Sequence, residues 1–142
     1  MTNKIEIDWK GQMLFESKAN EGSVMIDAAE EVGGQGKGLR PKAMMLTALG
    51  GCTAMDVASL LKKMRAEVRD FKIDVEANLT DEHPKYYHSV VVDYHFYGSD
   101  LNKKKCERAV NLSVEKYCGV MEMFRRFAKV ETNIHFHIIL EG

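Results

Sequence analysis

The chain has 142 residues, of which 20 are Lys or Arg and 21 are Asp or Glu, so its formal net charge is −1. This balance excludes the strongly basic footprint that is typical of nucleic-acid binders. Hydrophobic residues make up 45% and charged residues 29%, which argues against disorder and favours one globular domain over residues 1–142. A chain of this length can form a core without disulfides or a structural metal.

The first part of the chain has the pattern of a β-meander. Apolar Ile5, Ile7 and Trp9 alternate with charged residues, which predicts a half-buried strand. Turn residues then separate this segment from strands that begin near Met13 and Val24, and hairpins are the simplest connection.

A glycine-rich segment follows the predicted meander. Residues 33–38 read Gly-Gly-Gln-Gly-Lys-Gly, and the absence of Ser or Thr after Gly36-Lys37 argues against a Walker-type phosphate loop. We expect a mobile loop that leads through Arg40 into a helix with Pro41 in its first turn.

The remaining periodicities predict an α+β fold with an antiparallel sheet and a separate helical layer. The predicted elements are a helix over 42–65, strands over 71–79 and 86–97, helices over 102–117 and 119–127, and a strand over 130–140.

The predicted long helix is apolar enough to be mistaken for a membrane span. However, Asp56 lies inside it and Gly50-Gly51 interrupts it, and a charge at the bilayer centre costs about 2.5–3.5 kcal/mol. We therefore predict the central buried helix of a soluble fold, with no membrane partner. The N-terminus lacks the apolar core of a signal peptide, and together with three unpaired thiols this predicts a cytoplasmic location.

The three cysteines, Cys52, Cys106 and Cys118, are odd in number and form no Cys-x-x-Cys motif, which disfavours a disulfide scaffold or zinc ribbon. Taken alone, each is more readily a small core residue than a reactive thiol. His135 and His137 lie two residues apart on one predicted strand face and could chelate, but a solvated sheet face explains them equally well. No Cys or acidic residue accompanies them with ligand spacing, so we expect no metal site.

Two segments around cysteines resemble the two cysteine motifs of the OsmC/Ohr family, the osmotically inducible and organic-hydroperoxide-resistance proteins. Residues 40–57, from Arg40 to Val57, resemble the first motif, and residues 109–120 resemble the second. Trp9-Lys10-Gly11 with Phe15-Glu16, and the Gly33-Gly34 loop, match the family's opening hairpin and loop. The resemblance covers nearly the whole chain.

The resemblance implies an OsmC-like fold, an intertwined homodimer and a thiol peroxidase of organic hydroperoxides. In the family, the first cysteine attacks the O–O bond and becomes a sulfenic acid, and the second condenses with it to a disulfide. Carried over, Cys52 is the peroxidatic and Cys118 the resolving cysteine. The resemblance implies no bound cofactor; an external dithiol, such as a lipoylated protein, reduces the disulfide.

The chain departs from the family pattern at the residues that stabilise the thiolate. Family peroxidases use an N-terminal Arg held by a Glu just after the motif's proline, whereas Lys42 and Ala43 follow Pro41 here. We expect Arg40 to supply the positive charge, oriented by Glu30 or Glu31. The alternative is a non-catalytic or weakly active stress-associated binding protein that kept the fold.

Two further residues near or between the motifs receive structural roles. Asp56 lies one helical turn after Cys52, where a carboxylate opposes thiolate formation. We therefore expect it to accept hydrogen bonds, for example from Thr53, and leave it outside the catalytic set. Cys106 is expected to be core filler.

Overall fold

The computed structural model describes residues 1–140, which form two compact units. The first unit is Met1–Met45 and the second begins at Leu46. The long helix α1, Pro41–Lys63, begins in the first unit and continues into the second. The single domain predicted from the sequence stays a prediction.

The first unit contains the predicted meander. Strands β1 (Glu6–Trp9), β2 (Phe15–Ala19) and β3 (Gly22–Ile26) form an antiparallel sheet in that order. In the register of the sheet, Phe15 lies opposite both Trp9 and Ile26. The predicted hairpins are therefore confirmed.

Hydrogen bonds to one buried carboxylate group hold the glycine-rich loop in place. Asp27 accepts hydrogen bonds from the backbone N–H groups of Ala28, Gln35 and Lys37 at 2.8, 2.9 and 3.2 Å, and these bonds lower the pKa of its carboxyl group. The backbone N–H of Asp27 also donates to the carbonyl of Leu39. A loop that we expected to be mobile is thus tied at several points to the strand before it.

Two glycines of this loop are required by close packing. A Cβ atom on Gly34 would lie 1.7 Å from the carbonyl oxygen of Ala28, and one on Gly38 would lie 2.6 Å from the carbonyl carbon of Met25. Both positions therefore exclude any side chain. Because neither residue has a side chain, the loop backbone can approach the backbone at Ala28 and at Met25.

The second unit contains a sheet of three strands in the order β4 (Asp70–Leu79), β5 (Tyr87–Gly98) and β6 (Lys129–Ile138). Strands β4 and β5 are antiparallel, as predicted, whereas β5 and β6 are parallel. The fully antiparallel sheet of the sequence prediction is therefore wrong for the last strand. A crossover with helices joins β5 to β6, and such a connection permits parallel pairing.

The crossover is more irregular than the single helix predicted over 102–117. Helix α2 covers Lys103–Leu112, with Asn102 capping it by accepting from the N–H of Lys105 at 3.1 Å. A π-helical turn, Ser113–Tyr117, follows, and helix α3 covers Gly119–Arg125. Cys118 has extended backbone angles and lies at the break between the wide turn and α3.

The core of the second unit forms between β5 and the helices. Alternate residues of β5 are buried, which confirms the predicted apolar face. The fully or almost fully buried members are Val90, Val92, Tyr94 and Phe96 of β5, Leu49, Val57 and Leu61 of α1, Cys106, Ala109 and Val110 of α2, and Met121 and Phe124 of α3.

Helix α1 is buried along one stripe only. Its buried positions recur every fourth residue at Leu49, Thr53, Val57 and Leu61, whereas Met55 is 76% exposed. By length and composition α1 is apolar enough to cross a membrane, and only 28% of its most apolar stretch is buried within the chain. The predicted central helix is present, but much of its apolar surface is uncovered.

Candidate functional site

The structure brings the two motif cysteines together with Asp56. The Sγ atoms of Cys52 and Cys118 and a carboxylate oxygen of Asp56 all lie within 4.8 Å of one another. Both cysteines are free thiols; Cys118 is buried and Cys52 is half-buried. We call these three residues the thiol–carboxylate site.

Helix geometry and the break in the crossover position the three side chains. Cys52 and Asp56 are four residues apart on α1, so they share one face of the helix. The backbone N–H of Cys118 donates to the carbonyl of Ser113 at 2.8 Å, which closes the π-helical turn. The Cys118 sulfur in turn accepts a hydrogen bond from the N–H of Met121 at 3.3 Å. The second cysteine is therefore fixed by its own backbone and by the start of α3.

A chain of buried hydroxyl groups leads to Asp56. The Oγ1 atom of Thr53 lies 2.8 Å from the hydroxyl of Tyr94 and 2.7 Å from the Oγ of Ser113. Ser113 donates to Oδ2 of Asp56 at 3.0 Å. Because each hydroxyl has a single hydrogen, the bonds run from Tyr94 to Thr53, then to Ser113 and to the carboxylate. Thr53, one of the donors expected for Asp56, bonds Ser113 instead, and Ser113 donates to the carboxylate.

Burial keeps two members of this region protonated. It raises the pKa of the Tyr94 hydroxyl to about 12, so Tyr94 remains a hydrogen-bond donor at neutral pH. Burial is also the main cause that raises the pKa of the Cys118 thiol to about 12, and its hydrogen bond with Cys52 and the charge of Asp56 act in the same direction. Cys118 is therefore a thiol at neutral pH, and Cys52 is the more accessible sulfur.

Two hollows flank the part of α1 that carries the site. One, of about 400 Å³, is bordered mainly by apolar groups, including Gly50, Gly51 and Ala54 of α1 and Ile73 and Val75 of β4. The other, of about 310 Å³, is lined by Asp56, Ser59, Leu60, Lys63 and Tyr117. Gly51 precedes Cys52, and a Cβ atom there would meet nothing within 4 Å. Cys52 itself lines neither hollow, but its neighbour Gly51 borders the first and Asp56 the second.

The other sequence-predicted residues lie away from the thiol–carboxylate site or stay untested. Cys106 is fully buried on α2, and burial raises its pKa, which suits the expected core role. Arg40 is exposed and directly precedes α1, where its carbonyl accepts the N–H of Met44. Its contribution to the Cys52 thiolate stays a prediction.

The histidine pair belongs to a larger array on one sheet face. His137 Nε2 lies 2.9 Å from His95 Nδ1 on β5, and His135 Nε2 lies 2.9 Å from Oδ1 of Asp93. No acidic residue stands at ligand spacing from the pair in the sequence, but the neighbouring strand brings Asp93 close to His135. The expectation of no metal at the pair stays a prediction. Within residues 1–140, however, the group of three convergent metal-ligand atoms is that of Cys52, Asp56 and Cys118.

Sequence reasoning missed the chain of hydroxyl groups. The four-residue spacing did place Asp56 beside Cys52, but the carboxylate was left outside the catalytic set. The contributions of Ser113 and Tyr94 carry no local signal, because they depend on contacts 57 and 41 positions apart in the chain.

The sequence is similar to one known protein family. The family model for OsmC-like proteins matches residues 34–133, which include both cysteine motifs. Protein YhfA of Escherichia coli K12 is 36% identical over 90 residues, covering 63% of this chain and 67% of YhfA. The chain therefore belongs to the OsmC-like family.

Solved structures support the same fold. A hypothetical protein of Aquifex aeolicus VF5 aligns over 99% of both chains with a TM-score of 0.87 and 29% identity. The organic hydroperoxide resistance protein OhrB of Bacillus subtilis aligns over 94% of this chain and 98% of its own, with a TM-score of 0.65 and 18% identity. The predicted OsmC-like fold is confirmed.

The raised pKa of Cys118 has a direct chemical consequence. In the folded, reduced protein at pH 8, we expect iodoacetamide to alkylate Cys118 about a hundredfold or more slowly than in the urea-unfolded chain. The thiolate is the reactive form, and a free thiol, as in the unfolded chain, has a pKa near ~8.5. Peptide mass spectrometry of timed samples measures each cysteine separately. Equal rates for Cys118 in the folded and unfolded chains would contradict the pKa direction.

Proposed function

We propose that the protein is a thiol peroxidase that reduces organic hydroperoxides with Cys52 and Cys118. The observation that carries this proposal is the approach of the two sulfurs and the Asp56 carboxylate to within 4.8 Å of one another. Membership of a family that includes hydroperoxide resistance proteins supports it.

The first step would use the more accessible sulfur. The Cys52 thiolate attacks the terminal oxygen of the hydroperoxide, an S–O bond forms, and the O–O bond breaks. The two electrons of the sulfur reduce the peroxide, the alkoxide takes up a proton and leaves as an alcohol, and Cys52 becomes a sulfenic acid. The half-buried position of Cys52 allows a substrate to reach it.

The second step requires a base because Cys118 is protonated at neutral pH. Its sulfur attacks the Cys52 sulfur, a disulfide forms, and hydroxide leaves as water after taking up a proton. We assign the acceptance of the Cys118 proton to Asp56, whose carboxylate lies beside both sulfurs and is held by Ser113. Both thiols then have been oxidised by one peroxide, and no further oxidant is needed.

An external dithiol would complete the cycle by reducing the disulfide with two electrons. We propose a lipoylated protein or a similar small dithiol as the reductant, with no bound cofactor or metal in this cycle. A cytoplasmic location fits, because a reducing compartment keeps the pair as thiols between turnovers. The apolar hollow beside Gly51 favours hydroperoxides with apolar substituents over hydrogen peroxide.

The second candidate function is a weakly active or non-catalytic stress-associated binding protein. Lys42 and Ala43 stand where family peroxidases carry the carboxylate that holds their Arg. This candidate predicts that the Cys52 thiol does not react with hydroperoxides.

A hydroperoxide-consumption assay separates the two functions. With cumene hydroperoxide and dihydrolipoamide, we expect turnover by the wild type, loss of activity in Cys52→Ser, and unchanged activity in the control Cys106→Ser. Cys118→Ser should be oxidised once to a stable sulfenic acid, detectable by a dimedone adduct. Equal, background rates for wild type and Cys52→Ser would defeat the peroxidase proposal.

The role of Asp56 can be tested in a single turnover. Asp56→Asn keeps the shape of the side chain but removes the proton acceptor, so we expect disulfide formation after sulfenic acid formation to slow by about tenfold or more. Rapid quenching with thiol alkylation and mass spectrometry follows both species. If the variant forms the disulfide as fast as the wild type over pH 6–9, Asp56 is not the base.

Arg40 is proposed to stabilise the Cys52 thiolate. A positive charge within about 4–6 Å favours a thiolate, and the glycine-rich loop carries Arg40 to the start of α1. We expect Arg40→Ala to slow alkylation of Cys52 at neutral pH by about tenfold or more, while Lys42→Ala leaves it unchanged. An unaltered rate in Arg40→Ala would leave Arg40 without this role.

The family's intertwined homodimer is likewise proposed for this chain. Large apolar side chains are exposed, among them Met55, Met123 and Tyr117 at 76, 63 and 51%, and a second copy would cover them. We expect sedimentation at about twice 16.1 kDa, weakened by Met55→Glu but not by Lys85→Glu in the β4–β5 turn. A wild-type monomer at micromolar concentration would refute the dimer.

A further inference from the structure

The thiol–carboxylate site has the ligand set of a zinc centre. Zinc is bound in proteins by thiolate, imidazole and carboxylate groups in a tetrahedral arrangement. Within the part of the chain that the structure describes, Cys52, Asp56 and Cys118 supply three such atoms, all within 4.8 Å of one another. With Zn–S bonds of about 2.3 Å, tetrahedral geometry places two sulfurs about 3.8 Å apart. Only small side-chain adjustments therefore separate the observed arrangement from a zinc site.

Groups around the three ligands are arranged to hold them. Ser113 donates to Oδ2 of Asp56 at 3.0 Å, and the N–H of Met121 donates to the Cys118 sulfur at 3.3 Å. Such contacts orient metal ligands and stabilise their charged forms. Ser113 is itself held by Thr53, so the carboxylate is supported by buried side chains on two elements.

The site also leaves room for a fourth ligand. Cys118 is buried, whereas Cys52 and Asp56 are partly exposed, so an ion bound among them would face solvent on one side. Three protein ligands and one open position occupied by water are a recurrent zinc geometry.

We propose that the reduced protein binds one Zn²⁺ ion through the sulfurs of Cys52 and Cys118 and the carboxylate of Asp56, with water as the fourth ligand. Binding displaces the protons of both thiols into solvent, because zinc requires thiolates. The ion occupies the same two sulfurs that the proposed peroxidase uses, yet the zinc site does not depend on that activity.

Zinc and oxidation would exclude each other at this site. A hydroperoxide that oxidises the two bound thiolates accepts two electrons from them and consumes two H⁺ ions from the buffer, giving the disulfide, one alcohol, one water and free Zn²⁺. The disulfide offers no thiolate, so the ion cannot rebind until the pair is reduced. Bound zinc would conversely delay alkylation and oxidation of both cysteines.

Metal binding can be measured without any peroxidase assay. Zn²⁺ is titrated into reduced, metal-free protein under anaerobic conditions against a chromophoric chelator, and Co²⁺ reports thiolate ligation by its sulfur-to-metal absorption. We expect one equivalent, abolished tight binding in Cys52→Ser and in Cys118→Ser, and affinity about tenfold or more weaker in Ser113→Ala. Asp56→Asn should bind more weakly while retaining the sulfur-to-cobalt absorption.

Two control variants address the other metal-ligand groups of the chain. Cys106→Ser removes the third thiol, and His137→Ala removes one member of the histidine array; both should keep the wild-type affinity. Equal affinity in wild type, Cys52→Ser and Cys118→Ser would overturn the proposal, as would loss of binding in His137→Ala alone. A zinc-binding protein that consumes no hydroperoxide would support this site and refute only the peroxidase.

Discussion

Ser113 is the residue on which the geometry of the site depends. Its carbonyl accepts the N–H of Cys118, while its hydroxyl bonds both Thr53 of α1 and Asp56 of the same helix. One small side chain, fully buried, thus joins the crossover to the long helix at the level of the two cysteines. Without this side chain, the carboxylate would lose its hydroxyl donor, and the turn before Cys118 would lose its hydrogen bonds to α1.

The proposed peroxidase cycle requires the two thiols beside Asp56 to begin in different protonation states. A carboxylate beside a thiol disfavours the thiolate, so Asp56 is a poor neighbour for a cysteine that must be nucleophilic. It is a suitable neighbour for one that begins as a thiol and must lose its proton during the reaction. In the proposed cycle, the raised pKa of Cys118 and the greater accessibility of Cys52 make Cys118 the thiol that Asp56 would deprotonate. The same carboxylate would help a divalent cation hold both sulfurs.

Much of the fold was predictable because local patterns agree with it. Alternation in β5 identified the buried face of Val90 and Tyr94, and the cysteine motifs predicted that Cys52 and Cys118 approach each other. The parallel pairing of β6 was not predictable from the alternation of Ile134 and Phe136, since a strand shows the same period in either direction. The hydroxyl chain was missed for a similar reason: Thr53, Tyr94 and Ser113 meet only in three dimensions.

The wide turn at Ser113–Tyr117 has a consequence for how this sequence can vary. A π-helical turn closes its hydrogen bonds over five residues instead of four, so it accommodates one residue more than a regular α-helical turn. Removing a single residue between Ser113 and Tyr117 would shorten the five-residue span that the bond from the N–H of Cys118 to the carbonyl of Ser113 closes. The length of this segment, as well as the cysteine itself, therefore determines where the second thiol lies.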